Sequence, residues 1–461
     1  ELDYDTQFDA AAQVYRVNMK GKMGDNAFYA GYTPPPAGEA LVDQFPEIES
    51  ATRIYQPDNT QLAYESTAGS KVFNESEILA VDPNFLEVLS YPLQKGDAAT
   101  CLQEPNSIVI TPQIAKKYFG DEDPMGKAIE GVGGRANDGV YTVTGIIKDV
   151  PSNSHFNFDV LMSMSSFYQT RPEIFDYWGY VDFYTYFLVD ENFDQQAFQA
   201  KMPAFLERNR PKEDAKYYYD LSFEPLSEAY LQSEAARQPG ITGSLSNLYI
   251  FAIIGLFILI IACINFMNLA TARSLERAKE VGIRKVIGAN KKGLVYQFLG
   301  ESLTMVFLAS VLGLTLAFLC LPAMREITGK PFLTQEILDS STLFLYAAMA
   351  LFIGLLSGSY PAFVLSSFKP SSVLKGVFRT SQNGNRLRKG LVVFQFSLSI
   401  ALIASTIIVY FQLGFMLDKN LGFDREQQLV IDFNWDGEVL DNMETIKSQF
   451  MELPEVVSVA G

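Results

Sequence analysis

Histidine is almost missing from this chain. His155 is the one copy in 461 residues, so metal sites built on several histidines and histidine-based catalytic triads are excluded. Three cysteines, Cys101, Cys263 and Cys320, two of them inside apolar runs, imply neither a disulfide framework nor a cysteine-rich metal site. Charge is absent in a patterned way. No Asp, Glu, Lys or Arg occurs between Arg237 and Arg273, Glu301 and Arg325, Asp339 and Lys369, or Lys389 and Asp418. Each gap exceeds the roughly 20 apolar residues that carry a helix across the hydrocarbon core of a bilayer. A purely soluble protein is thereby excluded, although 19% charged residues and a net charge of −17 suggest one on average.

The gaps predict four membrane helices at about 248–270, 303–321, 343–364 and 391–413. The loop at 271–298 carries Arg273, Arg277, Lys279, Arg284, Lys285, Lys291 and Lys292 against Glu276 and Glu280. The loop at 365–390 carries Lys369, Lys375, Arg379, Arg386, Arg388 and Lys389 with no acid. The short segment 322–341 is mixed. Positive charge on short loops marks the cytoplasmic side, so both basic loops face the cytoplasm and both chain ends lie outside. Residues 1–247, with 37 acids and 18 bases, agree with an exported position. Export of so large a domain requires a signal or an earlier membrane helix, and one is expected just upstream of Glu1, the chain being read as an internal piece of a longer protein.

Residues 1–247 form the first predicted domain, of mixed α/β (α+β) class and external to the cytoplasm. Strand patterns cover 13–19, 107–111, 140–148 and 182–189. Helical patterns cover 112–119, opened by Thr111 as cap and Pro112 at the first position, and 193–210. Loops are expected at 34–36 and 131–134. The stretch 120–128 superficially resembles a phosphate-binding loop, but five residues separate Gly120 from Gly126 and Ala128 replaces the required Ser or Thr. No nucleotide cofactor is therefore expected on this chain, and any ATPase must be a separate one. His155 reads as a structural turn residue, Tyr217, Tyr218 and Tyr219 as packing.

The predicted membrane domain, 248–413, is α-helical and carries no ionisable group near mid-membrane, which argues against an ion-driven transporter. Asn265 and Asn268 share a helix face suited to helix packing, and Gly354 with Gly358 would let a helix approach closely. Gly358 to Pro361 should bend or end the third span. Within 272–297, Val281, Arg284, Lys285 and Gly288 recur at helical spacing. Two meanings stay open for that helix: an amphipathic segment held by anionic lipid, or a docking element that passes force to a cytosolic partner.

Several separated motifs in order carry a resemblance. Arg277, Glu280, Gly282, Arg284, Lys285 and Gly288-Ala289 resemble the cytoplasmic loop of the MacB/FtsX-like permeases of ABC transporters. Residues 106–129 and 143–154 are similar to that family's periplasmic core signature, and 359–376 to a further family stretch. The resemblance implies a permease of two repeated halves, with 414–461 opening a second periplasmic domain. It implies a non-catalytic, multi-pass inner-membrane subunit. A cytosolic ABC ATPase would use ATP and Mg to move the external domain for export or extraction of cargo. Arg277, Glu280, Gly282, Arg284, Lys285 and Gly288 would form the ATPase-coupling loop, with Glu280, Arg284 and Lys285 in contact and Gly282 and Gly288 allowing close backbone approach. Further expected partners are membrane lipid, a second permease subunit and a periplasmic or outer-membrane protein, but no nucleic acid; no catalytic, cofactor or metal residues are expected. The alternatives are an FtsX-like regulator of a cell-wall hydrolase and an unenergised membrane-anchored sensor.

Overall fold

Aromatic and β-branched residues dominate the strands of the N-terminal region, and they pair into one mixed sheet. The computed structural model describes residues 4–460 apart from 6–7, 9–10, 24, 58–59, 67–68, 133–137, 149, 152, 155, 211–217, 329–333, 368–381, 420–427, 432 and 434–436. His155, Tyr217 and much of the basic loop 365–390, including Lys369 and Lys375, lie outside the described residues. Two units are formed, Glu1–Leu245 with Leu429–Gly461, and Ser246–Gln428.

In the first unit the strands are β1 (Val14–Met23), β2 (Asn26–Ala30), β3 (Ile48–Tyr55), β4 (Thr60–Ser66), β5 (Gly69–Glu75), β6 (Ile78–Val81), β7 (Leu93–Lys95), β8 (Ser107–Ile110), β9 (Ala128–Val132), β10 (Gly139–Ile147), β11 (Val160–Ser163), β12 (Phe183–Val189) and β13 (Tyr218–Pro225). Their order is β13-β1-β12-β3-β6-β11-β8-β10-β9-β4-β5, with β2 added to β1 and β7 to β10. Pairing is parallel for β6 with β11 and β8 with β10, and antiparallel elsewhere, which makes the unit α+β.

Central strands are buried on both faces: in β12, Phe183, Thr185, Tyr186, Phe187 and Val189 all lie inside. Helices α1 (Pro36–Gln44), α2 (Phe85–Val88), α3 (Pro112–Phe119), α4 (Met164–Thr170), α5 (Gln195–Gln199), α6 (Met202–Asn209) and α7 (Leu226–Ala229) supply the rest of the core. Thr111 caps α3 as its sequence predicts, its hydroxyl accepting the Ile114 N–H. The single helix expected over 193–210 is instead two, α5 and α6, parted at Ala200 and Lys201; Pro203, in the first turn of α6, has no N–H with which to continue α5. Pro36 opens α1 rather than lying in a loop, and Gly131 pairs with Gly139 inside the sheet. Tyr219 is buried and donates its hydroxyl to Trp178 O at 3.3 Å.

The second unit is built on α8 (Leu245–Val286), α9 (Lys291–Thr328), α10 (Thr334–Ile337), α11 (Ser340–Ser367) and α12 (Gln382–Asp418). Four stretches are long and apolar enough to cross a membrane: Leu245–Ala270, Lys291–Thr328, Ser340–Phe363 and Lys389–Asp418. Pro361 lies within α11, which runs on to Ser367, so the helix itself does not end at Gly358 to Pro361, while the apolar stretch runs to Phe363. The freed carbonyl is tolerable because membrane helices recover such groups through neighbouring hydroxyls and helices. Toward the C-terminus the chain forms α13 (Gly437–Asp441) and α14 (Met443–Met451), while Leu429, Val430 and Ile431 are exposed and in no strand.

Candidate functional site

Segment 271–298 is a pair of helix ends rather than a loop. The first predicted span continues without interruption past Ala270 to Val286, so α8 holds 42 residues and is about 63 Å long at 1.5 Å per residue. Its charged last turns contain good helix formers, which let the helix outlast the apolar run. Gly288 stops it. The Ala289 N–H bonds Arg284 O at 2.9 Å and the Gly288 N–H bonds Lys285 O at 3.2 Å, the paired closure of a Schellman cap. Gly288 has φ +110°, where an L side chain is strained, and nothing lies within 4 Å of the place a Cβ would take. Within this chain the residue is needed for its backbone angle. Two residues later Asn290 caps α9, its Oδ1 accepting the Gly293 N–H at 2.7 Å.

Beneath this corner, Val281 of α8, Leu294 and Phe298 of α9 and Ala362 of α11 form a small buried core, with Val295 and Leu299 packed on it. Gly282 is buried beside Val281. Polar ties surround the core. Arg284 pairs with Glu280 at 2.8 Å, one helical turn back, and its other nitrogen donates to Gln297 Oε1 at 2.8 Å. Gln297 in turn donates to Glu301 at 3.2 Å. Lys285 reaches across to α11 and donates to Ser366 O at 2.6 Å. Burial, then the neighbouring Lys291, lower the Lys285 pKa, but the carbonyl end of a helix is a favourable place for its charge.

The structure thus brings Glu280, Gly282, Arg284, Lys285 and Gly288 together at one corner. Arg277 lies on the same helix, with its side chain outside the described set. Arg284 and Lys285 are bonded to α9 and α11, while Lys291 and Lys292 at the start of α9 are exposed. The corner also carries an exposed apolar face: Ile283, Val286 and Ile287 share one helix face, and Ile287 is 80% exposed, with Tyr296 exposed on α9. Sequence reasoning missed this face, together with Gln297, Ser366 and Asn290. The spacing of three and four between 283, 286 and 287 was a readable signal, masked by the density of charges around it.

Behind the corner, α9 and α11 are seamed by small residues. A Cβ on Gly354 would lie 2.7 Å from Leu303 Cδ2, and one on Gly358 2.6 Å from Ser302 Cβ, which is the close approach expected of that pair. Tyr346 donates to Ser310 O at 2.8 Å farther along the seam.

In the first unit a depression of about 440 Å³ is lined by Glu47, Asp190, Phe193, Asp194, Phe198 and Lys201 among others. Its polar groups are already engaged: Lys201 pairs with Glu47, Asp194 caps α5, and Asp190 accepts from Asn192. Lys127, in the stretch that resembles a phosphate loop, is paired with Glu122 and lies over the Phe119 ring. Among the described residues no group of three or more His, Cys, Asp or Glu side chains is placed to hold a metal ion.

Residues 2–205 match the MacB-like periplasmic core domain, and residues 252–370 match the FtsX-like permease C-terminal domain. The chain is 25% identical over 320 residues to a macrolide export ATP-binding/permease protein MacB of Neisseria meningitidis, a match covering 67% of this chain and 45% of that protein. The protein of the same description from Syntrophobacter fumaroxidans is 22% identical over 396 residues, covering 74% and 52%. The chain spans about half the length of these curated relatives. Among solved structures, the periplasmic region of MacB from Actinobacillus actinomycetemcomitans aligns at 12% identity with a TM-score of 0.34, over 47% of this chain and 90% of that one.

Proposed function

Because the chain belongs to the MacB/FtsX-like permeases of ABC transporters, we propose that it is a non-catalytic permease element driven by a cytosolic ABC ATPase. It is a multi-pass inner-membrane protein with its large α+β unit on the periplasmic side. ATP and Mg belong to the ATPase and none is held by this chain. Closure of the ATPase pushes on the corner between α8 and α9, and the helices pass the displacement to the periplasmic unit, which acts on cargo there.

One observation carries this proposal: the corner is packed beneath and presents an exposed apolar face, Ile283, Val286 and Ile287, beside the exposed Lys291 and Lys292. Helix caps on both sides of residues 287–290 fix its backbone, and the Val281–Leu294–Phe298–Ala362 core supports it. A protrusion of that kind transmits a push instead of absorbing it, because packed interiors are barely compressible. Arg277, Glu280, Gly282, Arg284, Lys285 and Gly288 are the coupling residues. In this arrangement Arg284 and Lys285 shape the corner through Gln297 and Ser366, and Ile283, Val286 and Ile287 supply the surface that a partner covers.

The test is copurification of the full-length protein with a candidate ATPase, wild type beside Arg284→Glu. The ATPase should come down with wild type and be lost with the variant at equal expression, since the new carboxylate would face Glu280 and release Gln297. An ATPase that binds neither, or both equally, would overturn the coupling role and favour an unenergised sensor. A hydrolase regulator differs only in output, so an assay of cargo efflux against hydrolase activation separates it.

A further inference from the structure

Arg16, in the middle of β1, has no solvent exposure, an unusual position for a guanidinium. Its partners explain it. One terminal nitrogen donates to Glu224 of β13 at 2.6 Å and to Ser233 Oγ at 2.7 Å, and the other donates to Gln238 Oε1 at 2.8 Å. Glu224 is the cross-strand neighbour of Arg16 and also accepts from Asn18. Ser233 and Gln238 belong to no strand or helix. They sit in residues 230–245, the segment that leads from the sheet to the first residue of α8.

That segment is folded back and fastened at several points. The Ala236 N–H bonds Tyr29 O at 2.8 Å, and the Gly31 N–H bonds Ala236 O at 2.9 Å, so the segment borrows the edge of β2. Its two ends close on each other through the Gly243 N–H to Tyr230 O at 2.8 Å and the Leu245 N–H to Leu231 O at 3.1 Å. A Cβ on Gly243 would stand 2.8 Å from the Tyr230 ring, so the return leg passes directly over that tyrosine. Tyr4 stacks on the same ring with centroids 3.4 Å apart.

We infer that Arg16 is a positioning residue whose guanidinium locks segment 230–245 onto the sheet, making it a stiff strap that fixes where α8 departs from the periplasmic unit. A charge buried this deeply carries a desolvation cost that its hydrogen bonds must offset. Serine and glutamine on the strap satisfy two of its donors, so releasing the strap leaves those donors unmet. The strap therefore cannot loosen without cost, and it ties Leu245, the first residue of α8, to β1 and β13. Its part in force transfer rests on the permease function proposed above; its stiffness does not.

The full-length protein in lipid nanodiscs decides this by amide exchange, comparing wild type with the double variant Ser233→Ala/Gln238→Ala. That variant keeps the Arg16–Glu224 pair, so it does not strand a buried charge and should fold. The expected result is exchange about tenfold or more faster at Ala236, Gly243 and Leu245, with β12 and β3 unchanged. Unchanged rates, or amides already unprotected in wild type, overturn the strap. Loss of protection throughout the sheet overturns it as well, since the residues would then serve the fold alone. With an ATPase bound, the ATP-driven change in distance between labels on β1 and α8 should shrink in the variant while copurification stays intact; an equal change contradicts the transfer role. Failure of the ATPase to bind wild type would count against the permease function, and the exchange comparison would still judge the strap.

Discussion

At the scale of single residues, buried charge in the periplasmic unit is tied to long-range partners. Arg53 makes a two-point pair with Asp82, at 2.9 and 3.0 Å, and also donates to Pro35 O, Glu39 and the Tyr168 hydroxyl. One guanidinium so joins α1, β3, α4 and the end of β6, a role suited to its planar fork of donors. Carboxyls without such a partner behave differently. Asp159 and Glu77 lie at the starts of β11 and β6, and burial raises the pKa of both, with the Glu75 charge adding to it at Asp159 and the Asp159 charge at Glu77. A raised folded-state value means the stabilising contribution is present below the unfolded carboxylate range, about pH 4, and is lost as pH rises through the folded value. At neutral pH these carboxyls therefore oppose folding. Asp159→Asn, which can still accept the Thr111 hydroxyl, should raise the melting temperature at pH 7, with the gain fading toward pH 4. A constant or reversed difference across that range, measured by thermal unfolding, would contradict the assignment.

At the scale of elements, the α9–α11 seam offers a graded prediction. A methyl on Gly354 meets the far end of the flexible Leu303 side chain, whereas one on Gly358 meets Ser302 Cβ beside the backbone. Gly358→Ala should therefore lose about 1–3 kcal/mol of stability, as overpacking does, and Gly354→Ala distinctly less. Equal melting temperatures for the two variants in detergent would count against the packing. The seam was legible because two glycines four residues apart in an apolar helix say one thing. Helix ends were not. The apolar run of α8 stops at Ala270, but the helix stops at Val286, because the membrane sets the first and the Gly288 cap sets the second. The strands of the 107–111 and 182–189 runs were readable from their β-branched and aromatic residues, while the hairpin of β4 and β5 was not, since β5 is mostly exposed and carries little apolar signal. At the corner between α8 and α9 the sequence motif marked the residues that the fold brings together, but not the direction of their side chains. Arg284 and Lys285 look like free cations in sequence and are bonded to Gln297 and Ser366 in the fold.

At the scale of the whole molecule, charge and hydropathy divide the chain into an acidic periplasmic unit, four apolar helices and basic segments on the cytoplasmic side. The function proposed above would take its input at residues 283–287 and deliver its output in the sheet; α8 is one continuous helix from Leu245 to Val286. The decisive measurement is site-specific photo-crosslinking in native membranes from a benzoylphenylalanine in place of Ile287. The account predicts an adduct between the full-length protein and a cytosolic ABC ATPase, absent when the probe stands at Phe307 inside the apolar part of α9. A probe at 287 that labels lipid alone, with no protein adduct, would contradict coupling through this corner and make it a membrane-held amphipathic end.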